Sequence, residues 1–315
     1  MSTALANSPA QALETPSPQR IEELLGAFVA NYDAKQSSKA LYRRVLKQYF
    51  IWVDKKGYLL SQIAKEHILE YRAELLASGM SSLTVAAYLT AVKVFYAWAE
   101  ANKLYPNVAK GAKLPRREHK FERLPLSQEQ SQALASYSQT LTLRDHAIIN
   151  LLHRTGLRTI EASRANIGDI QERGGKRILL VQGKGRDAKD NFVILTDKAY
   201  LPIAQYLKIR KRAKKEEALF VSLSNNSQGR RLSTREISHI VKEGLKAIGL
   251  DSRAYTAHSL RHTTAVSILR AGGRLEDAQG VLRHSNPATT QIYLHTIKEE
   301  MRLKNAPEEL LDSLY

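Results

Sequence analysis

Four apolar stripes at helical spacing follow one another between residues 18 and 102. In the first, from Pro18 to Tyr32, Ile21, Leu24, Leu25, Phe28 and Val29 fall at i, i+3, i+4, i+7 and i+8. That spacing is one face of a helix with 3.6 residues per turn. The second runs from Ser38 to Lys56 with Leu46, Tyr49, Phe50 and Val53 as its stripe, and Gly57 stops it. The third spans Lys65 to Ala77 before Gly79; the fourth follows Ser81-Ser82 and carries Val85, Tyr88, Val92, Phe95 and Ala99 towards Asn102. The connections are short, so the stripes can only bury one another, as a bundle of about 85 residues.

The texture then changes. Residues 104–123 contain Pro106 and Pro115 and a basic series, Lys110, Lys113, Arg116, Arg117, Lys120 and Arg123. This reads as a stiffened, basic interdomain linker. A second domain, 124–315, opens on a capping-box start at Ser127-Gln-Glu-Gln130 and a helix from Leu143 to His153. Ile178–Val181 and Phe192–Leu195 are β-prone runs around a polar, Gly-rich turn, Gln182–Asn191, with Lys184 near its tip. The rest is helical. The expected fold is therefore mainly α with a small β-sheet: an N-terminal four-helix domain over 18–103 and a mixed α/β domain after it. Residues 1–17, rich in Ser, Ala and Pro, are expected to be a disordered tail.

Composition narrows function. The chain of 315 residues has no cysteine, which excludes disulfides, thiolate zinc sites, iron–sulfur clusters and a cysteine nucleophile. Its 48 Lys+Arg against 31 Asp+Glu give +17, so a polyanion is the expected partner. Arg43, Arg44, Lys47, Ser81, Ser82, Thr84 and Lys93 in the bundle, with Arg116 and Arg117 in the linker, are candidate phosphate contacts; a solvated polar face accounts for any one of them as well. No apolar run approaches the about 18 residues of a membrane span, and the first residues lack the pattern of a signal peptide. A cytoplasmic, nucleoid-associated protein without membrane contact is expected.

Four separated segments carry chemistry. They are Thr155-Gly-Leu-Arg158-Thr-Ile-Glu161, Gly183-Lys184-Gly185, His258-Ser-Leu-Arg261-His262, and Leu282-Arg-His284-Ser-Asn286 followed by Thr290-Gln-Ile-Tyr293. The order Arg, Lys, His-x-x-Arg, His, Tyr resembles that of the tyrosine recombinases, the family of phage integrases and of Cre-like and Xer-like proteins. The resemblance covers the chain from about residue 18 and is specific in its order, since a lone His-x-x-Arg would mean little.

The residue types suit the cleavage of a DNA phosphodiester without metal, which needs a nucleophile, charge stabilisation and a proton for the leaving oxygen. Arg158 and Arg261 offer rigid forks matched to the non-bridging oxygens. Tyr293 is the expected nucleophile, Lys184 the general acid, and His258 and His284 orient the phosphate and move protons. Glu161, three residues after Arg158, is placed to steady that guanidinium. Lys189 is the second choice for the acid, and His262 and His295 are read as structural. The resemblance implies a 3′-phosphotyrosine intermediate, double-stranded DNA with inverted-repeat core sites as partner, and no metal or ATP. It also implies a tetramer on DNA in which residues 294–315 dock on a neighbouring subunit. An enzyme of the type IB topoisomerase kind is the alternative. The chain departs from the family's common Leu-Gly-His in having Arg283, and Ile160 and Ala165 stand where Ser and Leu are frequent.

Overall fold

The computed structural model describes residues 18–116, 123–183, 186–210, 213–284, 286, 291, 297, 308–312 and 314. The tail expected over 1–17, together with Arg117, Lys184, Tyr293 and His295, lies outside them. The chain divides into two units, Met1–Lys120 and Phe121–Tyr315.

In the first unit the four stripes become α1 (Pro18–Asn31), α2 (Gln36–Lys55), α3 (Lys65–Ala77) and α4 (Ser82–Ala101). Each stripe faces inward: Leu25, Phe28, Leu46, Tyr49, Ile68, Val85, Val92 and Ala99 are fully buried in one cluster. Aromatic residues tie the helices together. Phe28 meets Phe95 edge-on at 5.8 Å between centroids, and the buried hydroxyls of Tyr49 and Tyr96 share a hydrogen bond of 3.0 Å. Ser81 caps α4 by accepting the Thr84 N–H at 3.2 Å. By length and mean hydropathy, 1.2, α4 would qualify as a membrane span. Its stripe is instead packed inside the bundle. Within the stretch read as linker, Tyr105, Ala109 and Ala112 are buried in this same core.

The second unit is built round α6 (Leu143–Thr155), whose Ala147, Ile148, Leu151 and Leu152 are buried. It is preceded by α5 (Gln128–Ser138), which carries the expected capping box: Ser127 Oγ accepts the Gln130 N–H and Gln130 Oε1 accepts the Ser127 N–H. After α7 (Thr159–Arg164) come β1 (Ile170–Arg173), β2 (Lys176–Val181) and β3 (Asn191–Ile194), an antiparallel sheet in the order β1-β2-β3. β2 and β3 are the hairpin read from the sequence, in register Val181↔Asn191 to Ile178↔Ile194. β1 was not expected. Then follow α8 (Asp197–Ile209), α9 (Thr234–Ala247), α10 (Ala257–Arg270) and α11 (Leu275–Leu282). Lys208 lies in the last turn of α8 and Arg210 just past its end. There Arg210 folds back onto the carbonyls of Ala218 and Leu219 and onto Glu217.

Gly156 ends α6 at φ +60°, and this position tolerates no side chain. A Cβ there would stand 2.6 Å from Leu282 Cδ2 and 3.3 Å from Thr264. Gly156→Ala is expected to destabilise the protein by about 2–4 kcal/mol, the left-handed backbone and the overpacking together. Denaturant unfolding checks this, and a loss below about 1 kcal/mol would contradict the packing described.

Candidate active site

The segments of Arg158, of His258 and Arg261, and of Leu282 to His284, far apart in sequence, arrive at one place through α6, α7, α10 and α11. Gly156 turns the chain out of α6, and Arg158 becomes the residue that precedes α7. Glu161, in the first turn, accepts the Arg158 N–H on Oε2 at 2.8 Å and Arg158 Nη1 on Oε1 at 3.1 Å. The guanidinium is thereby held against its own helix start, with its side chain 30% exposed while Glu161 is 1% exposed.

Arg261, on α10, is the largest fully buried side chain described. Nη1 donates to the Gly156 carbonyl at 2.5 Å and Nη2 to the Leu282 carbonyl. One guanidinium thus pins the turn before Arg158 to the end of α11, just before His284. A burial of this depth is tolerable for a charge only because rigid acceptors meet it.

His258 sits in the first turn of α10, one turn before Arg261. Thr256 Oγ1 accepts its N–H at 3.3 Å. Its ring lies edge-on to His262 at 4.9 Å. Burial pushes the His258 imidazole below its ordinary pKa, and the charges of Arg261 and Arg158 add to the effect. His284 is pushed down to about 4 by burial and by Arg261 and Arg158. His262 reaches about 4 by burial and by its neighbours His258 and Arg261. That both arginines act on both His258 and His284 is the electrostatic sign of their convergence. At neutral pH these rings are uncharged, and the positive charge of the site belongs to the guanidiniums.

These shifts make stability depend on pH. An unfolded chain protonates imidazoles near pH 6.5, whereas His262, His284 and the half-buried His153 stay neutral in the fold down to about 4. Between those values the unfolded state binds more protons, so the contribution is full above 6.5 and is lost as pH falls towards 4. Thermal melts should show a flat Tm near neutrality and a decline below pH 6.5; a Tm that rises on acidification would contradict the assignment.

Sequence reading missed the place of Arg283. Its side chain is 8% exposed and its Nη2 pairs with Glu161 Oε2 at 2.8 Å. Lys189, the second choice for the acid, pairs with Asp169. Gly183, next to Lys184, has its carbonyl bound by Arg164 Nη1 at 3.2 Å, so the root of that loop is tied to α7.

In the first unit, Arg43 and Lys47 both bind Glu22, at 2.7 and 2.8 Å, and hold its carboxyl down to about 2. Arg44 and Arg116 are exposed, Ser82 begins α4 beside the capping Ser81, and Thr84 is exposed on its first turn. Lys93 is half-buried and donates to the Ala112 carbonyl at 2.9 Å. Within 294–315, Ile297 is buried against Val266, Leu269 and Leu282 of its own unit.

A model described as the phage integrase family matches residues 125–300, and one described as the phage integrase N-terminal SAM-like domain matches residues 21–103. Tyrosine recombinase XerC of Corynebacterium glutamicum is 31% identical over 229 residues, 71% of each chain. Tyrosine recombinase XerD of Yersinia pestis is 28% identical over 291 residues, covering 90% of this chain and 94% of its own. Among solved structures, XerH site-specific recombinase bound to palindromic difH substrate in a post-cleavage complex shares the two-domain fold. Its TM-score is 0.73 at 20% identity, over 93% of this chain and 85% of that one. With both domains matched in order and the mainly helical fold with its small sheet in common, the chain belongs to the phage integrase family, the tyrosine recombinases, which are DNA strand-exchange enzymes.

Proposed function

We propose that this chain is a site-specific DNA recombinase that cuts and rejoins DNA through a covalent 3′-phosphotyrosine. It works on inverted-repeat core sites in a tetrameric synapse, without metal or ATP, on nucleoid DNA in a prokaryotic cytoplasm. The observation that supports this best is the joint pinning of Arg158 and Arg261. The buried Arg261 fork holds the turn leading to Arg158 and the helix end leading to His284.

In the proposed step the Tyr293 phenol oxygen attacks phosphorus. The P–O bond to the tyrosine forms as the P–O5′ bond breaks. Arg158 and Arg261 take the charge that grows on the non-bridging oxygens, a role typically worth about 3–4 kcal/mol of barrier for one donor. His258 and His284, neutral in the free protein, can hydrogen-bond the phosphate and carry the phenol proton. Lys184 hands a proton to the departing 5′ oxygen. One phosphodiester is exchanged for another, so religation by a 5′-hydroxyl needs no energy source. An enzyme that only hydrolysed DNA would gain nothing from such an intermediate.

A supercoiled plasmid carrying two copies of the target site tests the reading. Recombined products are expected, with no added metal or nucleotide. Relaxation without exchange would favour the topoisomerase-like alternative, and neither product would overturn both.

A further inference from the structure

Arg283 is held at a double cost. It ends α11 at φ +54°, ψ 46°, a conformation that suits glycine. Its Nε is buried with no hydrogen bond among the described residues. Glycine at this position would avoid both.

What the side chain gains is a grip on Glu161. Nη2 binds Oε2 at 2.8 Å, and Nη1 anchors the group on the Val281 carbonyl at 2.6 Å. Oε2 also takes the Arg158 N–H, which leaves only Oε1 for the Arg158 guanidinium, at 3.1 Å. A carboxylate and a guanidinium otherwise prefer to close as a two-point fork. Such a fork would turn Arg158 towards Glu161 and cancel most of its charge. Burial alone would raise the Glu161 pKa; Arg283, then Arg158, outweigh it and keep the carboxylate ionised.

We propose that Arg283 is a positioning residue that occupies one oxygen of Glu161 so that Arg158 keeps its charge and its fork for a phosphate. The inference rests on the reading that Arg158 and Arg261 bind the scissile phosphate, and it assigns a use to a residue that sets this chain apart from the common Leu-Gly-His pattern. Arg283 acts through Glu161, so its influence vanishes when Glu161 loses its charge.

Inorganic sulfate is the probe, titrated into the whole protein with labelled histidines and followed by the ring signals of His258 and His284. Arg283→Gly folds readily, because glycine is at ease at this φ. It is expected to weaken sulfate binding about tenfold, as one charge-assisted partner is redirected. Arg283→Lys, which returns a donor to Glu161, should recover most of the loss. In a Glu161→Gln background, Arg283→Gly should change nothing further. Wild-type protein whose histidine signals ignore sulfate would overturn the phosphate-site reading and this inference with it. Wild-type binding matched by Arg283→Gly would overturn the inference alone. Equal weakening in both backgrounds would also overturn it, since Arg283 would then be only an added positive charge.

Discussion

Arg261→Ala is expected to lower the rate of DNA cleavage by about 10²–10³-fold, the usual loss when one transition-state donor is removed. The same substitution should destabilise the second unit by about 3–5 kcal/mol, because two carbonyls lose a charged donor in a buried place. Those carbonyls, of Gly156 and Leu282, belong to the segments that lead into Arg158 and into His284. On the proposed function, structure and chemistry are therefore coupled through one side chain. Arg261→Lys separates them: an ammonium keeps the charge but cannot span both carbonyls as a planar fork does. It should regain part of the stability and little of the rate. Unfolding in denaturant measures the first quantity. Single-turnover cleavage, at a temperature where each variant stays folded, measures the second. Cleavage by folded Arg261→Ala at close to the wild-type rate would remove the residue from the phosphate site.

Much of this architecture is readable from residues alone, for definable reasons. The bundle helices announce themselves because each buries a stripe: Leu46, Tyr49, Phe50 and Val53 leave α2 no other way to satisfy its apolar face. β2 and β3 are legible as β-branched runs about a polar turn. β1 is not, since Ile170-Gln-Glu-Arg173 has one apolar residue and no alternation. The signal that could have revealed it is Gly174-Gly175, both at positive φ, a two-residue hairpin turn between Arg173 and Lys176. The end of α8 is not legible either, because charge says nothing about where a helix stops, and Arg210 finds backbone acceptors past it.

The site shows the same division. Arg158, Glu161, His258, Arg261 and His284 stand out as candidates through the order that resembles the family's. Their partners could not. That Arg261 would be fully buried, and that Arg283 would share Glu161 with Arg158, depend on contacts between residues over a hundred positions apart. A motif states which chemical groups are present; only packing states which of them already hold one another. Arg43 and Lys47 make the point for the bundle. Their engagement with Glu22 means that a phosphate must compete with a carboxylate for both.

Covalent trapping identifies the nucleophile. Wild-type protein is incubated with a nicked duplex carrying its site, denatured, and digested with trypsin. The nucleotide should be found on the peptide from His284 to Lys298, whose single tyrosine is Tyr293. Tyr293→Phe should bind the same duplex with affinity within about twofold, because phosphate contacts dominate that affinity, and yield no adduct. An adduct on another peptide, or one that survives Tyr293→Phe, would contradict the account.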